Sequence, residues 1–554
     1  MPTPTEPTES LQRRWQNSWP TGVPRTIEYP EISLGQMLRS AAERHPKKTA
    51  LCYFDQKISY QLLEELVERF GRALEERSIG REDKVAIFLP NIPEFVIAYF
   101  GALRVGATVV AISPLYKERE LTHILADSQA KVIVAWDRLL PLVKAARAKT
   151  RLEHVLTTNG HLPPIGISTL PKRREAQNEE DVDAIILRTD RTSKLVDVQP
   201  RIDLALLQYT GGTTGVPKGA MLTHYNLVVN AVQFSTWLGM KAQDMHLAAL
   251  PLFHIYGMTT SMNAPIFASG CIVLTPDPRD TNAILQIVEK FKVTIFCGVP
   301  TMYQALISQP NIRRHDLSSL RICISGASSL SSQVQMEFEK ITGGRLVEGY
   351  GLTEMSPVTH VNPLDHPTKN HPGSIGIPIS DTDAKIVDTE TGSINLQIGE
   401  PGELVIQGPQ GMKGYWHGEE ETRISLRDGW IYTGDIAVMD PDGYFHIVDR
   451  KKDMINISGL KVWPQEIEAV LCENIAVKEA AAVAVPDPES GEAVKAFVVL
   501  KDEYRGKISE SEIIKFCRER IATYKTPKMI VFRAMLPRSS IGKVLRRELR
   551  AHCD

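Results

Sequence analysis

Apolar runs of strand length alternate with amphipathic segments of helix length through most of this chain. Lys84–Phe88, 107–112, 131–135, Cys271–Leu274, 294–297 and 320–325 are short and apolar. Between them lie 60–76, 93–103, 118–127 and 281–291, each with the period of a helix. Strands separated by helices must run parallel, because only a crossover of a dozen or more residues joins parallel neighbours, so parallel sheets covered by helices are expected. The length, 554 residues, is too great for one core and calls for at least two domains. The longest apolar stretch, 85–113, is interrupted by Asn91, Pro93, Glu94 and Arg104. It reads as strand, loop, helix and strand rather than as a membrane span.

Composition narrows the partners. A net charge of −2 leaves no excess of Lys and Arg to neutralise a nucleic-acid backbone, so no nucleic acid is expected. Seven cysteines stand singly at 52, 271, 297, 323, 472, 517 and 553, with no C-x-x-C pair. Neither a disulfide framework nor a zinc site is indicated, and a cytoplasmic location is the simplest expectation. The polar, proline-rich start has no apolar core of a secretory signal. Peripheral membrane contact and a homodimer are both compatible with this composition.

Two regions break the alternation. Residues 171–201 are polar and rich in both charges, and read as a mobile surface insertion. After Asp381 the pattern turns β-rich, with runs at 384–387 and 402–406 and a strong turn at Pro441-Asp442-Gly443. Five charges follow at 449–453, read as a solvated loop that also suits a linker. A new compact pattern then begins: helix 464–471, strands 479–485 and 493–500, helix 510–521 and strand 529–533, with Ser509 and Glu512 as a capping box. The expected fold class is α/β. A large N-terminal domain, 1–448, has parallel α/β sheets plus a β-rich subdomain. A hinge at 449–453 leads to a small mobile α+β domain, 454–554.

The stretch Tyr209-Thr-Gly-Gly-Thr-Thr-Gly-Val-Pro-Lys-Gly-Ala-Met-Leu222 follows the apolar run 204–207. A glycine-rich, hydroxyl-rich loop after a strand brings backbone N–H groups close to phosphate oxygens, and Lys218 adds a point charge. A Walker A loop does not fit, since Pro217 precedes the lysine and Gly219 follows it. The string resembles the phosphate loop of the adenylate-forming superfamily, which includes acyl-CoA synthetases, luciferases and the adenylation domains of peptide synthetases.

Other strings support the resemblance. In Glu348-Gly349-Tyr350-Gly351-Leu352-Thr353-Glu354, the aromatic ring could stack on a base, Thr353 could bond a phosphate and Glu354 could hold Mg2+. The same string also reads as a turn with a helix cap. It matches the family's G-Y-G-x-T-E. Asp435, in Tyr432-Thr433-Gly434-Asp435, could take both ribose hydroxyls, with Arg450 as a second clamp. The family pattern is Y-x-[ST]-G-D, from which this chain departs in that Thr433 follows Tyr432 directly. Pro537 to Lys543 matches P-x-x-x-x-G-K, whose lysine, by resemblance, binds the carboxylate and the α-phosphate during adenylation. Pro251-Leu-Phe-His254-Ile-Tyr-Gly257 matches a string placed beside the acyl carboxylate, giving His254 a role in admitting the thiol. The stretch Ser325-Gly326-Ala327-Ser328-Ser329 is not a hydrolase elbow, since Leu330 stands where glycine is required. By resemblance it lies along the adenine.

The resemblance implies ATP, Mg2+ and coenzyme A as cofactor and co-substrates. Lys543, Thr353, His254 and Glu354 become the catalytic set, and Thr214 with Glu354 the metal ligands. The nucleotide would lie against Thr210, Gly211, Gly212, Thr213, Thr214, Gly215, Lys218, Gly326, Ala327, Ser328, Glu348, Gly349, Tyr350, Gly351, Thr353, Asp435, Ile447, Arg450 and Lys543. Lys452 is the implied pivot, with Ser458 and Gly459 on the segment used for the thioester step. These residue types suit the reaction. A carboxylate attacking ATP is an anion attacking an anion, so fixed cations matter, each contact being worth roughly 3–4 kcal/mol. Holding the reactants in line supplies a further ~7–11 kcal/mol. No protein nucleophile is needed, and a hinged small domain lets one site serve both half-reactions.

Within the superfamily, 113–116 with 118–121, and 461–468, resemble the long-chain fatty acyl-CoA synthetases. Ser113 departs from the usual Asn, and Met258 stands where some long-chain enzymes carry a gating Trp. The acyl pocket is expected along 253–263 and 296–302. A medium- or long-chain fatty acid is the expected substrate. The alternatives are an aryl- or medium-chain-acid ligase or luciferase-like relative, and a binding protein without turnover. The joint presence of Lys543, Glu354 and Asp435 disfavours the last. A peptide-synthetase module is disfavoured because no carrier domain follows residue 554.

Overall fold

The computed structural model describes residues 13–160, 179–189, 195–211, 217–275, 277–364, 370–457, 460–488, 490–539 and 542–550. The described chain divides into two units. One comprises 13–17, Ala384–Val405 and the chain from Tyr432 onward; the other comprises Ser18–Asp383 and Ile406–Ile431.

The larger unit contains two mainly parallel sheets. In the first, strands run in the order Glu179–Asp181, His154–Thr158, Val132–Trp136, Lys84–Phe88, Thr108–Ala111, Leu204–Gly211 and Pro217–Thr223. Only the last pair is antiparallel. The second has nine strands: Ile377–Pro378, Val358–Val361, Arg345–Gly351, Ile322–Ser325, Ile295–Gly298, Met245–Ala248, Cys271–Leu274, Thr49–Tyr53 and Gln56–Ser59. Its interior is parallel, and antiparallel strands close both edges. The expected elements at Lys84–Phe88, Cys271–Leu274 and Thr281–Phe291 form with those bounds, most others differ by a residue or two, and the helix expected at 510–521 ends three residues early, at Arg518.

The cores follow from this layering. Helices Thr281–Phe291, Pro300–Ile307 and Ser332–Thr342 bury Phe296, Tyr303, Phe338 and Leu346 on one face of the nine-stranded sheet. Tyr303 lies 5.0 Å from both Phe296 and Phe338 by ring centroids, and its hydroxyl donates to the Phe296 and Ile324 carbonyls. The helix Pro93–Arg104 is buried throughout its length. Its closing Arg104 is 1% exposed and is paired with Glu64 and Glu68, each at 2.7 Å, which satisfies a charge otherwise costly to bury. Among the described residues no helix is long and apolar enough to cross a membrane.

The smaller unit holds most of a five-stranded sheet containing Asp383–Val387, Gly402–Gln407, Trp430–Met439 and Phe445–Arg450. It also holds a second five-stranded sheet: Leu460–Val462, Ile455–Ile457, Gly491–Leu500, Val477–Asp487, and Met529–Phe532 parallel to Gly491–Leu500. Pro464–Glu473 and Glu510–Arg518 pack on it through Ile467, Leu471, Ile513 and Cys517. The Ser509 capping box forms, with the Ser509 N–H donating to Glu512 and the Glu512 N–H to Ser509 Oγ. The turn at 441–443 also forms, with Gly443 at φ +88°.

Two expectations are corrected. Residues 179–189 are no loose surface insertion. They form an edge strand and the helix Val182–Arg188, whose Val182, Ile185 and Ile186 are buried. Charges had hidden a short apolar face. Residues 171–178 and 190–194 of that insertion lie outside the described residues. The charged run 449–453 is not a uniformly solvated loop: Asp449 is 1% and Asp453 5% exposed. Asp449 accepts the Gln465 N–H at 2.8 Å, and Asp453 accepts from Arg550 at 2.8 Å.

Candidate functional site

In the larger unit the expected site residues follow the carboxyl ends of neighbouring parallel strands. His254 follows Met245–Ala248, Gly326 follows Ile322–Ser325, and Gly349 to Gly351 end Arg345–Gly351. Open parallel sheets bind ligands at that edge. Register brings Ser325 opposite both Gly298 and Glu348.

The strands that flank the phosphate-loop motif pair with each other in antiparallel fashion. Leu204–Gly211 pairs with Pro217–Thr223, with Thr210 opposite Lys218 and Gly211 opposite Pro217. Gly212, Thr213, Thr214 and Gly215, and with them one expected metal ligand, lie outside the described residues. Lys218 is paired with Glu421 at 3.0 Å. The helix Glu118–Ser128 braces the hairpin: the Tyr209 hydroxyl donates to Asp127 at 2.5 Å, and the Trp416 indole donates to the Asp127 carbonyl at 3.0 Å.

Glycines of the second motif answer to local contacts. A Cβ on Gly351 would lie 2.1 Å from the Pro357 carbonyl oxygen, whereas one on Gly349 would meet nothing nearer than 3.3 Å. Gly351 is therefore required by its own backbone neighbour. A Cβ on Gly326 would meet the Tyr256 ring at 2.9 Å, and Ala327 takes φ +71°. Ser328 is exposed. Glu348 is 6% exposed and accepts the Leu330 N–H at 3.0 Å, tying the 326–330 loop to the next strand. Burial pushes its carboxyl up to about 8, against the pull of the Leu330 N–H. Tyr350 is half-buried, its ring edge-on to His360 at 5.9 Å.

Thr353 and Glu354 lie in a short helical turn, Thr353–Met355, both partly accessible. The Tyr415 hydroxyl donates to Glu354 Oε1 at 2.6 Å, and the Met412 N–H donates to the Glu354 carbonyl at 2.8 Å. Residues 413–416 also bond the hairpin: Met221 N–H donates to Gly414 and Trp416 N–H to Gly219. This one segment joins two motifs that stand about 130 residues apart. Sequence reasoning missed Tyr415, Trp416 and Glu421; the only local signal was the Gly414-Tyr415-Trp416 string.

His254 caps a helix whose middle turn, Thr259–Asn263, is a π-helix between Ile255–Met258 and Ala264–Phe267. Its Nδ1 accepts the Tyr256 N–H at 3.2 Å, which leaves Nε2 as the protonated nitrogen. Removal from water holds the imidazole down at about 4, so it is neutral at pH 7. The expected pocket residues 255–263 are buried.

In the smaller unit a second group converges. Arg450 Nε meets Asp435 Oδ1 at 2.6 Å, and the two are cross-strand partners, with Ile447 opposite Ala437. Lys543 follows Gly542, at φ +79°, and its carbonyl accepts the Ser539 N–H at 2.8 Å. Burial, together with the nearby Arg450 and Lys452 charges, pushes its ammonium down to about 8, against the pull of Asp435. Lys452 stays accessible on the turn Lys451–Asp453, its ammonium lowered by partial burial and by Arg450. Ser458 and Gly459 lie outside the described residues. This unit thus offers a carboxylate flanked by three cations, a set suited to a sugar hydroxyl pair and an anionic phosphate.

Comparison with known proteins gives this chemistry a context. The model of the AMP-binding enzyme family matches residues 38–416, and that of the AMP-binding enzyme C-terminal domain matches 466–543. The chain is 40% identical to a long-chain-fatty-acid–CoA ligase of Bacillus subtilis, covering 97% of this chain and 98% of the other. It is 39% identical to a ligase of the same name from Salmonella typhimurium, covering 98% of each. Among solved structures, ATP-bound MatB from Rhodopseudomonas palustris superposes with a TM-score of 0.83 at 28% identity, covering 94% of this chain and 99% of that one.

Proposed function

The chain belongs to the AMP-binding enzyme family, and from that premise we propose that it activates a medium- or long-chain fatty acid. The acid and ATP give acyl-adenylate and pyrophosphate, and coenzyme A then takes the acyl group to give acyl-CoA and AMP. The observation that carries the substrate class is the 40% identity, over 97% of the chain, to a long-chain-fatty-acid–CoA ligase.

In this reading the loop from Thr210 to Lys218 holds the phosphates, with Thr353 beside them. Asp435 and Arg450 hold the ribose, while Gly326 to Ser328 and Tyr350 line the base. Glu354 is a hard oxygen donor whose Oε2 takes no hydrogen bond among the described residues, which fits a magnesium ligand. Thr214 is its proposed partner ligand. When bound, the ion supplies neutralisation of phosphate charge. Lys543 brings its positive charge to the acid and the α-phosphate in the first half-reaction. Neutral His254 borders the path of the thiol. The apolar helix from Ile255 to Asn263 lines the acyl pocket. Residues 1–448 act as the adenylation domain, 449–453 as a hinge and 454–554 as the moving part, with Lys452 as pivot and Ser458 and Gly459 serving the thioester step. The six described cysteines are free thiols, which suits a cytoplasmic location.

The test is a carboxylate panel from acetate to oleate with aromatic acids, read as ATP-dependent CoA thioester formation. The highest kcat/KM is expected for a medium- or long-chain fatty acid. A preference for an aromatic acid would overturn the substrate assignment.

A further inference from the structure

We propose that Tyr415 is a positioning residue for the Glu354 carboxylate: its phenol fixes Oε1 and so presents Oε2 to a divalent cation bound with the triphosphate. The proposal rests on the reading of Glu354 as the metal carboxylate.

The geometry points to a built arrangement. Tyr415 donates to Glu354 Oε1 at 2.6 Å. The backbone beneath that carboxylate is held from the same segment, by the Met412 N–H on the Glu354 carbonyl at 2.8 Å. Tyr415 is itself fixed on two sides. Its N–H donates to Thr422 Oγ1 at 2.8 Å, and the Thr422 hydroxyl donates to the Gly418 carbonyl at 2.7 Å. On the other side Tyr415 bridges Ala220 of the hairpin. Gly414 allows the close approach, since a Cβ there would lie 2.7 Å from the Thr422 methyl carbon. The next turn returns Glu421 to Lys218, so one segment contacts both the expected metal carboxylate and the expected phosphate lysine.

The chemistry favours a phenol at this place. A neutral donor orients a carboxylate while leaving its charge for the cation, whereas an ammonium would cancel it. Partners one step removed from a metal typically account for about 10–100-fold in metal affinity.

The test measures ATP binding to the full chain by calorimetry, with saturating MgCl2 and again with EDTA, alongside a Mg2+ titration at fixed ATP. In Tyr415→Phe the Mg2+ half-saturation concentration is expected to rise about 10-fold or more, with metal-free ATP binding unchanged. An equal loss with and without metal, or no loss in either, would overturn the proposal. Glu354→Gln should show the same metal-selective defect, and the double variant no further loss, because both act through one carboxylate. If Glu354→Gln leaves the Mg2+ dependence untouched while Tyr415→Phe changes it, the reading of Glu354 fails and Tyr415 does not act through it. A melting curve accompanies each variant. Should Tyr415→Phe unfold, Tyr415→His keeps a ring donor, and a Mg2+ half-saturation equal to that of the unsubstituted chain supports the donor role. A shift in metal-free ATP binding in that variant counts against it.

Discussion

Arg450 and Asp435 are joined twice, as cross-strand partners in an antiparallel pair and through an ion pair of 2.6 Å between Nε and Oδ1. The Asp435 side chain is only 5% exposed, while Arg450 keeps 35%. The carboxylate is therefore pinned by a partly accessible cation, and the strand pairing sets its position before any ligand arrives. The Asp435 N–H donates to Thr433 Oγ1 at 3.0 Å, which orders the turn of the T-G-D string despite its missing spacer.

If Asp435 grips the ribose, Asp435→Asn should lower kcat/KM for ATP by roughly a hundredfold, the usual cost of one oriented charged contact. Pyrophosphate exchange measures it. The fatty-acid KM should move much less, and a comparable rise in that constant would argue for a structural role.

Lys543 carries a sharper expectation, because its ammonium titrates near 8. Its charged form prevails below that pH, so acyl-adenylate formation should fall as pH rises through about 8. Lys543→Arg, whose cation does not titrate there, should move this limb upward. Lys543→Ala should lose acyl-adenylate formation yet still convert supplied acyl-adenylate and CoA to product. Near-normal pyrophosphate exchange in that variant would sink the assignment.

Lys452→Pro tests the proposed hinge. The residue lies exposed on a three-residue turn, and proline fixes φ there, which restricts rotation. Adenylation should survive and thioester formation should stop. Equal impairment of both half-reactions would count against rotation.

Stability should carry opposing pH signatures. Burial raises Glu348 and Asp183 to about 8 and Glu94 to about 7. The folded chain then holds protons that the unfolded chain releases above the ordinary carboxylate range, so stability falls as pH climbs toward 8. Each group contributes up to about 1.4 kcal/mol per pH unit. His224 and His254, held down at about 4, act the other way and cost stability as pH falls from 6.5 toward 4. Glu348→Gln keeps an acceptor for Leu330 and should flatten the alkaline slope in melting curves. An unchanged slope would mean that Glu348 ionises freely in the folded chain.

The α/β alternation and the motif identities were legible because both are local. Periodicity is written in neighbouring residues, so Lys84–Phe88 and Thr281–Phe291 appear with their expected bounds. The phosphate string, G-Y-G-x-T-E and the G-K lysine each carry their chemistry within a few positions. Tertiary structure alone decided what meets what. The antiparallel return of the strands that flank the phosphate loop depends on pairing such as that between Thr210 and Lys218. The need for Gly351 comes from a carbonyl at Pro357, and the burial of Asp449 and Asp453 from partners at Gln465 and Arg550. Tyr415 on Glu354 is the clearest case. Their meeting spans 61 positions and depends on a segment threaded between a hairpin and a turn. Such long-range pairings are set by packing and hydrogen-bond satisfaction across the whole unit, and no local pattern of residues encodes them.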